Sequence, residues 1–311
     1  MTPATTGLAQ SVHTRLVAHA KRLGTDPNLV LTRYAVERFL YRLSRSRHAE
    51  QFVLKGALLL LAWLGETIRP TRDADLLGLE SLTDVALREL FAEICDLVVE
   101  ADGMAFDASS VSVSAIRPEN AYGGFRITLR ARLGNARLRV RVDVGFGDAV
   151  TPPPRLLDYP CLLEFPSPRL RAYSVETTIA EKVHTMVALG PNNSRMRDFY
   201  DVFVLAKRRD FRGDPLVRAL RATFERRRTA FPDSPPLLLI AESPHVAEKG
   251  VQWRAFLAKS ALRSAPEEFG AVVSALAGFV VPVITAAREG KSFDSRWIDG
   301  GPWRSADWKA R

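Results

Sequence analysis

Two runs of strict alternation joined by Gly134-Asn135 constrain this chain more than any other feature. In Phe125-Arg126-Ile127-Thr128-Leu129-Arg130-Ala131-Arg132-Leu133, apolar and polar residues take turns. They do so again in Arg137-Leu138-Arg139-Val140-Arg141-Val142-Asp143-Val144. A period of two marks a strand with one face in a core and one face open. The Gly-Asn turn between the runs closes them into a hairpin. Leu138, Val140, Val142 and Val144 therefore turn inward, while Arg137, Arg139, Arg141 and Asp143 share the open face. Residues 104–147 form the β-rich part of the chain.

A second acidic element precedes the hairpin. Ile68 to Leu77 is predicted to be a strand, which puts Thr71, Asp73 and Asp75 on one face and Pro70, Arg72, Ala74 and Leu76 on the other. If this strand neighbours the one bearing Asp143, three carboxylates converge. Unpaired, they would repel and raise one another's pKa. A divalent cation resolves the repulsion, and Mg²⁺ is the ion that prefers carboxylates, water and substrate phosphates. Asp73, Asp75 and Asp143 are thus the candidate metal ligands, against the plain alternative of solvated strand-end acids.

The rest of the chain is largely helical in pattern. Residues 10–48 are predicted to be helical with a turn at Gly24–Pro27, Phe52–Trp63 to be an apolar helix and Thr83–Glu100 a further helix. Lys55-Gly56 opens the apolar run, and Gly56 permits close approach of another backbone. A Pro-rich connector, Thr151-Pro152-Pro153-Pro154, separates a core over residues 1–150 from a mainly helical lobe over 155–311. In that lobe Ser174 caps a helix from Val175 to Leu189 with Glu176 in its first turn, a second helix begins near Met196, and others follow at 214–228, 250–261 and 266–288. The tail with Trp297, Trp303 and Trp308 shows no clear period.

Composition adds a few bounds. The chain of 311 residues, 47% apolar and 25% charged, is ordinary for a globular protein. Its net charge of +9 favours a polyanionic partner. Cys95 and Cys161 build neither a disulfide framework nor a metal-ligand pair, which suits a reducing cytoplasm. No signal peptide is expected. The uncharged stretch Phe269–Ala287 is nearly long enough to span a bilayer, but it is rich in Ala, Gly and Ser and contains Pro282, so it is expected to be a core helix rather than a membrane contact.

Two charged elements of the helical lobe complete the candidate set. On the Val175–Leu189 helix Ile179, Val183, Met186 and Val187 form the buried stripe, leaving Lys182 at its edge. On the next helix Phe199, Val202, Phe203 and Ala206 pack, with Asp198 and Asp201 one turn apart on the other side. Lys182 is suited to hold a triphosphate, and Asp198 to orient that lysine or accept a proton. His184 is expected to pack rather than to bind metal.

Taken in order, LKGA…PTRDADL…VRVDVGF…SVETTIAEKVHTM…RMRDFYDVFVL resembles the AbiEii/MenT nucleotidyltransferase toxins of type IV-like toxin–antitoxin systems, in the DNA polymerase beta-type superfamily. The resemblance runs from about residue 50 to 206. It implies an α/β (α+β) fold, a mixed sheet with flanking helices and a helical C-terminal half supplying part of the site. Carried over residue by residue, it implies catalytic roles for Asp73, Asp75, Lys182 and Asp198, with metal on the first two and on Asp143 less securely, since that carboxylate varies among such toxins. Lys55, Gly56, Thr71, Arg72, Arg139, Arg141 and Arg197 are the candidate substrate-binding positions. Ala57 stands where the family often has Gly or Ser.

The activity so implied is Mg²⁺-dependent transfer of a nucleotide from an NTP to the 3′ end of tRNA, blocking translation, with a partner antitoxin. The arginines of the open sheet face, Arg126, Arg130, Arg132, Arg137, Arg139 and Arg141, support an RNA backbone or triphosphate independently. Two rivals stand beside it: the same chemistry on a small-molecule or protein hydroxyl, and a catalytically silent RNA- or antitoxin-binding protein. Arginine-lined walls disfavour a cationic antibiotic. A phosphate on Thr71 would place about two negative charges where metal and triphosphate must sit, so phosphorylation there is expected to inactivate.

Overall fold

The computed structural model describes residues 3–65, 69–116, 123–262, 265–305 and 307. Ile68 and Trp308 lie outside them. The chain divides into two compact units. The first takes in the chain to Trp63, then Pro70–Asp148 and Arg155–Ala172; the second takes in Leu64–Arg69, Ala149–Pro154 and Tyr173 onward.

The first unit opens with two helices, α1 (Pro3–Leu23) and α2 (Pro27–Arg45). Between them Asp26 accepts a hydrogen bond from Asn28 N and Pro27 starts the new helix, the expected turn chemistry of a helix N-terminus. Strand β1 (Phe52–Lys55), the short helix α3 (Leu58–Leu64), strand β2 (Ala74–Gly78) and helix α4 (Asp84–Asp96) follow, the last capped by Thr83. Three long strands come next, β3 (Met104–Ile116), β4 (Gly124–Leu133) and β5 (Ala136–Phe146), and two short ones close the unit, β6 (Arg155–Asp158) and β7 (Arg169–Ala172).

These strands form one mixed sheet in the order β3-β4-β5-β2-β1-β7-β6. Pairs β2–β5 and β1–β7 are parallel and the others antiparallel. Helices α1, α2 and α4 pack against the sheet. The inward residues of the hairpin behave as their alternation requires, with Ile127, Leu129, Val140 and Val142 all at 1% exposure or less. Each such side chain contributes about 1.5–3 kcal/mol of burial, which holds the open face in phase.

Three expectations need correction here. Phe52–Trp63 is not one helix. Phe52, Val53 and Leu54 are buried in β1, bonded on both sides, and helix begins only at Leu58. A short apolar run fits a central strand as well as a core helix, and Gly56, at φ +76°, breaks the chain between the two. The strand expected over Ile68–Leu77 is shorter, starting at Ala74, so Thr71 and Asp73 lie just ahead of it. Finally, β6 and β7 follow the Pro-rich connector and belong to the first unit, where a helical continuation was expected.

The second unit is built of α5 (Val175–Leu189), α6 (Met196–Arg208), α7 (Gly213–Arg226), α8 (Pro244–Lys259) and α9 (Phe269–Arg288), with a small sheet of β8 (Phe211–Arg212), β9 (Ser295–Trp297) and β10 (Trp303–Ser305). Ser174 caps α5 by accepting from Thr177 N at 3.1 Å. Helix α9 is long and apolar enough to cross a bilayer by length and composition. It packs instead against α6, α7 and α8 and buries Val272, Val273, Leu276, Phe279, Val280 and Val283 among them. The tail gains its structure from aromatic packing rather than from period: Trp297 and Trp303 flank Phe279, and Trp303 Nε1 donates to Phe279 O at 2.9 Å.

Candidate active site

The acidic cluster is set by strand register. On the parallel pair β2–β5, Asp75 stands opposite Asp143, and on the antiparallel pair β4–β5 Asp143 stands opposite Arg126. The neighbouring of the two acidic strands, conditional in the sequence, is thus direct. Asp73, two residues ahead of Asp75, meets Arg141, whose Nη1 lies 3.3 and 3.4 Å from its two carboxylate oxygens. Arg126 grips Asp143 with both arms of its guanidinium, Nε to Oδ1 at 2.8 Å and Nη2 to Oδ2 at 2.7 Å. Those hydrogen bonds above all raise the Arg126 pKa; burial opposes them, and the fields of Asp143, Asp73 and Asp75 add to the rise.

The Lys55-Gly56 turn lies at the same place. Lys55 is in register with Asp75 across β1–β2, and its Nζ is 2.5 Å from Asp148 Oδ2. Gly56 lies against the Asp75 carboxylate: a Cβ added there would stand 2.7 Å from Asp75 Cγ, closer than side chains tolerate. Only glycine, with its freedom at positive φ, makes that approach. Thr71 donates a weak hydrogen bond to Asp73 O at 3.4 Å. Arg72 points elsewhere and is exposed, 3.5 Å from Asp26 Oδ2.

Two carboxylates with Mg²⁺-compatible oxygens, one of them partly exposed and held by long contacts to Arg141, fit a hard divalent ion that completes its shell with water and phosphate. Among the described residues no group of three or more His, Cys, Asp or Glu side chains converges to hold an ion. Beside the acids, the open face continues as arginines in opposed pairs, Arg130 with Arg139 and Arg132 with Arg137. A groove of about 440 Å³ runs there, lined by Ser110, Ser112, Thr128, Leu129, Arg130 and Arg139.

In the second unit, Lys182 and Asp198 form part of a buried charge network. Lys182 Nζ lies 2.7 Å from Asp198 Oδ1 and 2.7 Å from Asp201 Oδ2. Arg69 clasps Asp201 from the other side, Nε to Oδ1 at 2.6 Å and Nη2 to Oδ2 at 2.9 Å. Burial alone would pull the Lys182 pKa down, but Asp201 and Asp198 outweigh it and raise it. Burial would likewise push Asp201 up, yet Lys182 and Arg69 hold its carboxyl below the usual range. Arg197 is exposed at the start of α6. His184 hydrogen-bonds Thr229 at 2.8 Å and sits edge-on to Phe224.

Asp148 and Arg69 are not singled out by the sequence; Arg126 and Asp201 are, but without the partners the structure gives them. Two left a signal. A two-residue turn at Gly134-Asn135 fixes the hairpin register, which puts Arg126 across from Asp143. Asp201 follows Asp198 by one helical turn and shares its face. Arg69 and Asp148 sit in irregular chain, where no period points to a partner.

A mixed sheet with acids on neighbouring strands and a Lys-Gly turn against one of them is an arrangement suited to metal-assisted nucleotidyl transfer. Residues 38–275 match the family model described as nucleotidyl transferase AbiEii toxin, type IV toxin–antitoxin system, and the chain belongs to that family. Membership makes it a nucleotidyltransferase-class toxin with a nucleotide substrate and an antitoxin partner. No curated protein matches it significantly. Among solved structures it is similar to JHP933 from Helicobacter pylori, at 13% identity and TM-score 0.45, over 81% of this chain and 89% of that one. A second similar structure, described as a candidate nucleotidyltransferase from H. pylori, has 13% identity and TM-score 0.43 over 81% and 92% of the two chains.

Proposed function

We propose that this toxin transfers one or more nucleotides from an NTP to the 3′ end of tRNA in the cytoplasm, releasing pyrophosphate. The observation that carries the reading is the in-register Asp75–Asp143 pair with Gly56 against it, inside the region matched to the AbiEii family. Asp73 and Asp75 would hold Mg²⁺, whose charge neutralises the triphosphate and the leaving pyrophosphate. The chain's own groups act by placement. Gly56 brings backbone close to the Asp75 carboxylate, Arg141 steadies Asp73, and Asp198 with Asp201 keeps Lys182 charged for a phosphate. Positioning and charge do most of the work in such transfers.

The sheet's open face supports a polynucleotide acceptor. Opposed arginines repel one another unless an anion lies between or above them, and a polynucleotide backbone supplies anions in a row. A cationic small molecule would meet Arg132, Arg137 and Arg139 there, while Arg130 is already paired with Asp107 at 2.9 Å. Purified protein with Mg²⁺, each labelled NTP and total RNA is expected to label tRNA, and Asp73→Ala to abolish the label. Label on a small molecule or protein instead would move the acceptor, and transfer to nothing at all would leave a silent binder.

A further inference from the structure

Asp143 is held differently from Asp73. Both its oxygens accept from one guanidinium, side-on through Nε and Nη2 at 2.8 and 2.7 Å. The two residues are direct cross-strand partners, so their Cβ atoms are only about 5 Å apart and a short reach suffices. Asp143 keeps 23% of its side-chain surface exposed and Arg126 41%. Asp73 is contacted by a single nitrogen of Arg141 at 3.3 and 3.4 Å and keeps 36% exposed. An incoming ion displaces the second kind of contact far more readily than the first.

Charge leads the same way. Two of the acids already face a guanidinium, Asp143 that of Arg126 and Asp73 that of Arg141, so an added divalent ion meets a site whose negative charge is partly neutralised. A second ion would need Asp143, and would have to sit beside the guanidinium that already occupies it. Building on the proposed activity, we infer that Arg126 is the resident cation of this site: it takes Asp143 out of the ligand set and limits the chain to one divalent ion, held by Asp73 and Asp75. Asp143 then serves as the positioning residue that keeps Arg126 over the acids, rather than as a third ligand.

Mn²⁺ binding to the nucleotide-free full chain, followed by the loss of free Mn²⁺ signal in electron paramagnetic resonance, tests this without any turnover. Wild type is expected to bind one Mn²⁺, and Asp73→Asn to weaken that binding at least tenfold. Asp143→Asn should stay within about threefold of wild type. Arg126→Gln, close in shape and uncharged, should admit a second Mn²⁺ or tighten the first at least tenfold, and thermal unfolding of each variant verifies that it is folded. Two ions on wild type would overturn the inference, as would an Asp143→Asn variant that loses Mn²⁺ as completely as Asp73→Asn. In either case nucleotide transfer to RNA would still stand. Absence of Mn²⁺ binding together with absence of transfer would sink the parent reading as well.

Discussion

Gly56 lies against the Asp75 carboxylate, so close that the backbone itself walls one side of the acid. The turn is held at φ +76°, where an L side chain costs about 1–2 kcal/mol before any clash. Gly56→Ala is therefore expected to fold with slightly reduced stability and to displace Asp75. Misplacement of a reacting geometry by about 1 Å is worth roughly 100-fold in rate, and a loss of that size in nucleotide transfer is the expected outcome. Transfer at wild-type rate would show that the close approach is incidental.

The buried network around Lys182 should matter for stability as well as activity. Asp201→Asn leaves Lys182 with Asp198 and removes the charge that Arg69 clasps, and breaking a buried pair costs about 3–5 kcal/mol. Because the folded Asp201 pKa is depressed, its contribution is fully present above the unfolded value of about 3.9 and is lost as pH falls below it. Chemical denaturation should thus show a wide gap between wild type and Asp201→Asn at pH 7, narrowing below about pH 4. A gap that stays constant to pH 3 would place the destabilisation elsewhere.

Arg132 and Arg137 face each other at the turn end of the hairpin. Opposed like charges cost the sheet a few tenths of a kcal/mol or more, so replacing both with alanine should leave stability unchanged or raised. If they grip a single-stranded backbone, the same double change should lower the slope of log affinity against log salt by about 0.7 for each phosphate no longer neutralised. Fluorescence anisotropy with a labelled RNA tail across salt concentrations reads this directly. An unchanged slope would exclude phosphate binding at this end.

Thr71 precedes Asp73 by two residues and touches its backbone oxygen. Thr71→Glu, adding one negative charge beside the acids, should weaken NTP binding at least tenfold, while Thr71→Ala, losing only a hydroxyl, should weaken it far less. Calorimetry with a non-reacting NTP analogue distinguishes the two, and equal binding by both would remove Thr71 as a control point.

Much of this was legible in the chain because two periods dominate it. The hairpin's alternation and its Gly134-Asn135 turn fix faces and register together, and Ser174 marks the start of α5. What stayed hidden was non-periodic or ambiguous. Phe52-Val53-Leu54 reads equally as strand or helix, and only pairing with β2 and β7 decides it. The short edge strand β6 and its neighbour β7 are too brief to carry a pattern. The separation of Asp143 from the other acids could have been derived from register, since Arg126 is its fixed partner, whereas Arg69 gave no sign that it would close the network on Asp201.

The parallel pairing of β2 with β5 has a further consequence for how the protein is made. Parallel neighbours cannot be joined by a tight turn, so everything from Gly78 to Ala136 must be laid down before Asp75 acquires its partner. β1 waits longer, until Ala172 arrives beside Leu54, and Lys182 and Asp198 emerge only afterwards. Long-range pairings of this kind form late. A nascent chain accordingly lacks the Asp75–Asp143 pair for nearly the first half of its synthesis, and lacks Lys182 and Asp198 for longer still.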